Sequence, residues 1–462
     1  MNILKKATRR DVLRLGVQTA ASSSMLATLG TYQRAMAAVD TRGYKALVCV
    51  FLYGGNDGFN LVVPRSSPAY NTYAASRRNL ALAQNSLLAI NPLTSDGNQY
   101  GLHPNCAGLQ NLFESSRMAI VANTGTLIQP TTPAQFRAAN VPLPPNLFSH
   151  ADQSQQWQTS IPNSIQPQGW GGRIADLLNA QGYGNPNLAT NISLNGSNIW
   201  QGGNNTIFYT LGENGAPVLY DYQYPGYRSG TRRASFDRLL QQATASTDGN
   251  LHFREYTRSV NRTIASSQYV NNALNAAPAL TTVFPSSGIG NQLRLAARMI
   301  SARSQLGLSR QLFFVGLNGF DQHDNHLSAH GGLLSQLSPA LKAFYDATVE
   351  MGIQNSVTAF TASDFGRTLS SNGTGSVAGS DHGWGNHHLV IGGAVQGRRI
   401  YGSMPDLSLN GPNDAGSGRI VPTISTDQYS ATLARWFGAD DSDLDLLFPN
   451  LRNFSTRNLS FV

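Results

Sequence analysis

The chain has 462 residues, a formal net charge of +8 and 13% charged side chains. That length suits one large core or two modest ones. Much of the positive charge lies at the very start, and no basic run or aromatic–basic motif follows it, which excludes a nucleic-acid-binding reading.

The first 37 residues read as an export signal rather than as part of the fold. Thr8-Arg9-Arg10-Asp11-Val12-Leu13-Arg14 is a twin-arginine pattern, a weakly apolar stretch runs from Leu15 to Gly30, and Ala35-Met36-Ala37 offers small residues to a signal peptidase. The apolar stretch is too short and too polar to span a bilayer stably. Cleavage after Ala37 would remove six basic residues and one acid, and the formal charge would fall from +8 to +3. The expectation is a protein exported folded by the twin-arginine machinery, periplasmic or secreted, with 38–462 as its mature domain.

Ala46-Leu-Val-Cys-Val-Phe-Leu-Tyr53 is a continuous apolar run, as in a strand buried on both faces, and it ends at Gly54-Gly-Asn-Asp-Gly58. Cys49 lies inside it and reads as a small buried hydrophobe. With Cys106 it makes the only possible disulfide, and that pairing is not expected. Met118-Ala-Ile-Val-Ala-Asn123 repeats the strand pattern, and the Pro-rich stretch Pro130 to Pro145 reads as a long loop. Leu147-Phe-Ser-His150 then precedes a helix over 151–157. From about 196 to 287 the chain is rich in Asn, Ser, Thr, Gln and Tyr with weak periodicity, which suggests an insertion or cap.

Strand and helix signals then alternate. Leu293, Ala297 and Ile300 recur at helical spacing, and Leu312-Phe-Phe-Val-Gly-Leu317 reads as a strand. Leu334, Leu337, Leu341 and Phe344 mark a helix that Ser338-Pro339 either kinks or divides. Val357-Thr-Ala-Phe-Thr361 and Leu389-Val-Ile-Gly-Gly393 read as strands, and Thr426 as the cap of a last helix carrying Tyr429, Leu433 and Phe437. This alternation predicts an α/β fold whose mostly parallel sheet is covered on both faces.

Six of the nine histidines fall between His323 and His388. They cluster in Gly319-Phe-Asp-Gln-His-Asp-Asn-His326 and Ser380-Asp-His-Gly-Trp-Gly-Asn-His-His388, with Ser363-Asp-Phe-Gly-Arg-Thr368 between. Three apolar runs are each followed by an aspartate: Asp57, Asp321 and Asp364. In a doubly wound sheet the carboxyl ends of the strands share one edge, where ligands bind. Carboxylates gathered there repel unless a cation neutralises them. Asp321, His323, Asp364 and His382, with Asp57 beside them, therefore make a candidate site for a divalent ion such as Zn, Mn, Ca or Mg. His326, His330, His387 and His388 are weaker candidates.

Gly54-Gly-Asn-Asp-Gly-Phe-Asn-Leu61, Tyr100-Gly-Leu-His-Pro104, the 319–326 cluster, Ser363-Asp-Phe-Gly-Arg-Thr368, Asp381-His-Gly-Trp-Gly385 and Gly392-Gly-Ala394 together resemble a twin-arginine-exported bacterial family related to sulfatases and alkaline phosphatases. The resemblance covers essentially the whole mature chain. It implies an alkaline-phosphatase-like three-layer sandwich with metal at the strand ends, to which Asp57, Asp321, His323, Asp364 and His382 would contribute. Two features depart from that pattern. Phe365 follows Asp364 where a histidine is expected, and Asp321-Gln-His323 replaces a longer Asp-to-His spacing. One or two ions stay open.

Ser149, at a helix start with His150 beside it, is a candidate nucleophile where unpaired N–H groups would favour an anionic group. It is equally a plain N-cap, and Thr124 and Thr126 are rivals. Arg367 could hold a substrate anion bidentately or pair with a neighbouring carboxylate. Cys-x-Pro-x-Arg is absent from the sequence, so a formylglycine sulfatase mechanism is not expected. Two functions follow. One is a metal-dependent hydrolase of phosphate or sulfate esters, on a small molecule or a polymer. The other is a non-catalytic exported protein binding a metal or ligand on a degenerate hydrolase fold.

Overall fold

The computed structural model describes residues 43–180, 185, 188–213, 215–216, 229–245 and 251–462. The signal segment expected over 1–37 lies outside the described residues. Among the described residues, no helix is long and apolar enough to cross a membrane.

The described residues build fourteen strands. They are β1 (Lys45–Leu52), β2 (Val62–Pro64), β3 (Leu88–Ile90), β4 (Tyr100–Leu102), β5 (Met118–Gly125), β6 (Asn191–Ser193), β7 (Tyr209–Thr210), β8 (Arg310–Leu317), β9 (Val357–Ser363), β10 (Arg367–Ser371), β11 (Ser380–His382), β12 (Asn386–Gly392), β13 (Ile400–Tyr401) and β14 (Ile424–Ser425). Nine form one sheet in the order β13-β5-β12-β9-β1-β8-β6-β7, with β14 also paired to β5. β1 pairs in parallel with both β8 and β9, and β6 with both β8 and β7. β12 alone runs antiparallel to its neighbours β5 and β9. The apolar run at 389 is the strand expected there, and it is the one that departs from the parallel direction of the sheet. It is reversed because no helix separates β9 from β12. The chain between them makes only the small β10-β11 ribbon, and a parallel return needs a longer crossover.

Both faces of the sheet are covered. Along β1, Ala46, Val48, Val50 and Leu52 pack into one core and Leu47, Cys49 and Phe51 into the other. This two-sided burial is why the strand reads as an unbroken apolar run. Leu293, Ala297 and Ile300 of the helix Gly288–Ser301 seal the first face with Leu334, Leu337, Leu341 and Phe344 of the helix His326–Glu350. That second helix passes through Pro339 as one element. Trp157, Ile174, Tyr429, Leu433 and Phe437 seal the opposite face from the helices His150–Thr159, Trp170–Ala180 and Thr426–Phe437. Cys106 packs on the first face and Cys49 on the second, and both thiols are free.

Three local expectations are corrected. Ser425, not Thr426, caps the last long helix, through a capping box with Gln428. The Pro-rich stretch carries a short helix, Pro133–Ala138, started by a Thr132–Gln135 capping box. The polar span 196–287 contains two long helices in its described part, Ser229–Ala245 and Leu251–Ala276. The second buries a narrow stripe including Ile264, Val270, Ala273 and Leu274, and the last three join the first core. So narrow a stripe leaves most of the helix polar, which blurs its period in the sequence.

Candidate metal centre

The carboxyl ends of β1, β8 and β9 lie side by side, and β12, running the other way, begins at the same edge. After β1 the chain turns through Gly54 (φ 110°) and Gly55 (φ 85°). A Cβ on Gly54 would lie 2.3 Å from the backbone nitrogen of Asp321, so only glycine lets the two loops touch. Gly54 N donates to Asp364 Oδ2 at 3.0 Å. Asp321 follows β8, Asp364 follows β9 directly, His382 ends β11 just ahead of β12, and His150 opens the helix His150–Thr159.

Three imidazoles and one carboxylate meet at this edge. His382 Nε2 lies 3.1 Å from His150 Nε2 and 3.0 Å from His323 Nε2. Asp321 Oδ1 is 2.9 Å from His323 Nε2 and 3.2 Å from His382 Nε2, and Asp321 Oδ2 is 3.3 Å from His150 Nε2. The opposite nitrogen of each ring faces a group that can only accept. His150 Nδ1 donates to Asp364 Oδ2 at 2.7 Å, His323 Nδ1 to Asp381 Oδ1 at 3.1 Å and His382 Nδ1 to the Phe148 carbonyl at 2.7 Å. Each Nδ1 therefore carries the proton, and in a neutral ring the Nε2 lone pair points into the cluster. Three lone pairs and a carboxylate this close repel one another. A single proton relieves one contact, whereas a divalent cation can draw on His150, Asp321 and His382 together, with His323 flanking them. Donors bound at about 2.0–2.1 Å around a tetrahedral ion stand about 3.3–3.4 Å apart, close to the 3.1–3.3 Å contacts among His150, His382 and Asp321. Partners that fix Nδ1 and aim Nε2 are the usual outer support of metal-binding histidines. The donor set therefore fits a divalent ion.

The surroundings hold these donors in place. Arg367 is fully buried and donates to Asp321 Oδ1 at 2.7 Å and to the carbonyls of Phe320, Ser380 and Gly55. Phe365 is buried and lays its ring 4.7 Å from the His150 ring and 4.6 Å from that of His382. It forms an apolar floor where the sequence pattern leads one to expect an imidazole. Phe148 takes φ 73°, unusual for a bulky residue, and its carbonyl anchors His382. The open side belongs to Asp321 and His323, whose side chains are 45% and 46% exposed.

Electrostatics follow the geometry. The Asp364 hydrogen bond raises the His150 pKa against the opposing effect of burial. Burial lowers that of His382. Burial would raise the Asp321 carboxyl, but the hydrogen bond and charge of Arg367 bring it below the ordinary value.

Of the residues singled out in the sequence, Asp321, His323 and His382 come together, and Asp364 joins them through His150. His150 enters as a donor with Asp321 and His382 rather than as the companion of a serine, and His323 flanks the three. Its one signal in the sequence was a histidine opening a helix after the strand Met118–Gly125. Asp381, an outer partner of His323, was not singled out. Asp57 is placed elsewhere, in a buried ion pair with Arg77 and 2.7 Å from His326 Nε2. Ser149 caps its helix by accepting from the Asp152 backbone nitrogen, and its hydroxyl donates to Asp152 Oδ2 at 2.5 Å. Thr126 Oγ1 accepts from Gln153, and Thr124 Oγ1 is buried without a partner. Arg367 is committed to Asp321 and to carbonyls rather than presented to a substrate. His326 and His330 lie beside Asp57 and Asn56, and His387 and His388 are buried in β12.

Residues 44–417 match the family model described as "Protein of unknown function (DUF1501)". The chain belongs to that family. No curated protein matches the sequence. Among solved structures, the chain is similar to the zinc-complexed C-terminal periplasmic domain of EcEptC from Escherichia coli. Identity is 9%, coverage is 77% of this chain and 75% of that one, and the TM-score is 0.32. It is also similar to a protein of the alkaline phosphatase superfamily from Vibrio parahaemolyticus (12% identity, 87% and 69% coverage, TM-score 0.34). A third is the PsFucS1 sulfatase from Pseudoalteromonas sp. (11%, 92% and 72%, TM-score 0.30). Likeness at this level carries no argument about the reaction, which rests on the side chains.

Proposed function

We propose that this protein is an exported, metal-dependent hydrolase of phosphate or sulfate esters. One observation carries the reading: the Nε2 atoms of His150 and His382 and the Asp321 carboxylate lie 3.1–3.3 Å from one another, His323 Nε2 flanks them within 3.0 Å of His382 and Asp321, and every Nδ1 is held by an acceptor. A divalent ion bound there would polarise an ester oxygen and make an attacking water more acidic. The chain's own residues orient and select. Asp364, Asp381 and the Phe148 carbonyl fix the three rings, and Arg367 fixes Asp321. Arg419 stands beside His382, with its Nε 3.1 Å from the His382 carbonyl and its guanidinium 4.5 Å from the Phe148 ring. We assign it the anionic part of the ester, since Arg367 is already spent. With the Ser149 hydroxyl held by Asp152, water rather than serine is the nucleophile this arrangement favours. The twin-arginine pattern of the sequence supports export to the periplasm or beyond.

The test is turnover of aryl phosphate, phosphodiester and aryl sulfate by the mature protein with Zn, Mn, Ca or Mg. The reading requires activity with at least one ion and its loss in His382→Ala; inactivity under every condition would reject it. The hydroxyl held by Asp152 and the committed Arg367 favour one alternative, a non-catalytic protein that binds metal through the same cluster. That alternative predicts bound ion without turnover.

A further inference from the structure

Asp57 is the one strand-end carboxylate that does not meet the cluster, and its surroundings show why. A carboxylate has about four lone-pair positions on its two oxygens. In Asp57 all four are taken. Oδ1 accepts from the backbone nitrogens of Phe59 and Asn60 at 3.1 and 3.2 Å. Oδ2 accepts from Arg77 Nη2 and, at 2.7 Å, from His326 Nε2. The side chains of Asp57, Arg77 and His326 are fully buried. Arg77 is tied down further by donating Nη1 to the Thr368 carbonyl at 2.7 Å. A cation approaching Asp57 would have to displace a buried guanidinium and would meet its charge in a poorly screened interior.

The other half of a second site is equally depleted. Asp364 Oδ2 is occupied by Gly54 N and His150 Nδ1. Its Oδ1 is buried and without a partner, but the next residue is Phe365, whose ring offers no donor. A second ion would find one free oxygen where the first finds two imidazole nitrogens and a carboxylate, with a third imidazole beside them.

We infer that the centre takes a single divalent ion and that Arg77 is a built-in cation, bringing to Asp57 the positive charge a second ion would supply. This inference rests on the metal reading above and fixes its stoichiometry. His150, Asp321 and His382 bind the ion with His323 beside them, while the Asp57–Arg77–His326 cluster is a preformed ion-paired support under the loop after β1.

The experiment is a zinc titration of the chelator-stripped mature protein, with ions per chain counted by elemental analysis after desalting. One tightly held ion per chain is expected. Asp57→Asn, which keeps the shape but removes the charge facing Arg77, should still retain one ion with zinc affinity within about twofold of the parent, while its melting temperature falls. Two tightly held ions, or a loss of zinc affinity of tenfold or more in Asp57→Asn, would overturn the single-ion inference and leave the metal reading intact. No bound ion at all would overturn both. If Asp57→Asn does not fold, the parent's count decides alone.

Discussion

Asp364 touches no ion in this account, yet replacing it should weaken metal binding. Its side chain is 3% exposed, and its Oδ2 receives His150 Nδ1 at 2.7 Å and Gly54 N at 3.0 Å. In Asp364→Asn two arrangements are open. If the amide NH₂ faces His150, the ring must carry its proton on Nε2 and loses the lone pair that would bind. If the amide oxygen faces it, the ring keeps its tautomer but the bond loses its charge assistance. Either way the variant should bind zinc about 10–100-fold more weakly, about 1.4–2.7 kcal/mol, the usual cost of removing an outer partner of a metal-bound histidine. Competition against a chromophoric chelator at fixed pH and salt measures this directly. The capacity should stay at the parent's value, which separates a weakened site from an unfolded one. An Asp364→Asn affinity within threefold of the parent would refute the orientation argument for His150.

Three further outcomes follow from the same structure. Gly54→Ala should cost on the order of 2–4 kcal/mol and lower the midpoint of a thermal melt, because its Cβ would strike the Asp321 backbone at a positive φ; an unchanged melt would contradict the packing of the two loops. Burial raises the Asp427 carboxyl to about 8. A group whose pKa is higher folded than unfolded favours the fold below its unfolded value of about 4 and loses that contribution as pH rises through about 8. Asp427→Asn should therefore melt like the parent near pH 4 and above it at pH 8–9, by on the order of a few kcal/mol; a difference that shrinks with rising pH would reverse the assignment. Arg419→Gln should leave zinc affinity unchanged and raise KM for an anionic ester by about tenfold or more, and an unaltered KM would remove Arg419 from substrate binding.

Much of the architecture was legible because burial leaves a mark on composition. β1, β5, β8 and β9 are enclosed on both faces and read as apolar runs, and the helices at 293, 334 and 429 carry clean apolar stripes. The short strands β2–β4, β10 and β11 left no such trace. They are three to five residues long and set by loop contacts. The direction of β12 depended on what the chain does between Asp364 and Gly385, a matter of connection rather than pattern.

At the site, the sequence pointed to Asp321, His323 and His382 because acids and histidines crowd the loops after β8 and β9. His150 was harder to see as a donor, because it lies 171 residues before Asp321 and is brought in by the helix it opens. Asp57 misled for a physical reason. The same residue type in the same place serves as well for a buried ion pair, and what distinguishes the two is Arg77, twenty residues on at the end of the helix Ser67–Arg77. Nothing local to Asn56-Asp57-Gly58 reveals that partner.

The account stands or falls on where a cation settles. Crystals of the zinc-loaded protein, measured at the zinc absorption edge, should show one anomalous peak about 2.0–2.2 Å from the Nε2 atoms of His150 and His382 and from the Asp321 carboxylate. A map without density among these three side chains, or with its peak at Asp57, would contradict this assignment.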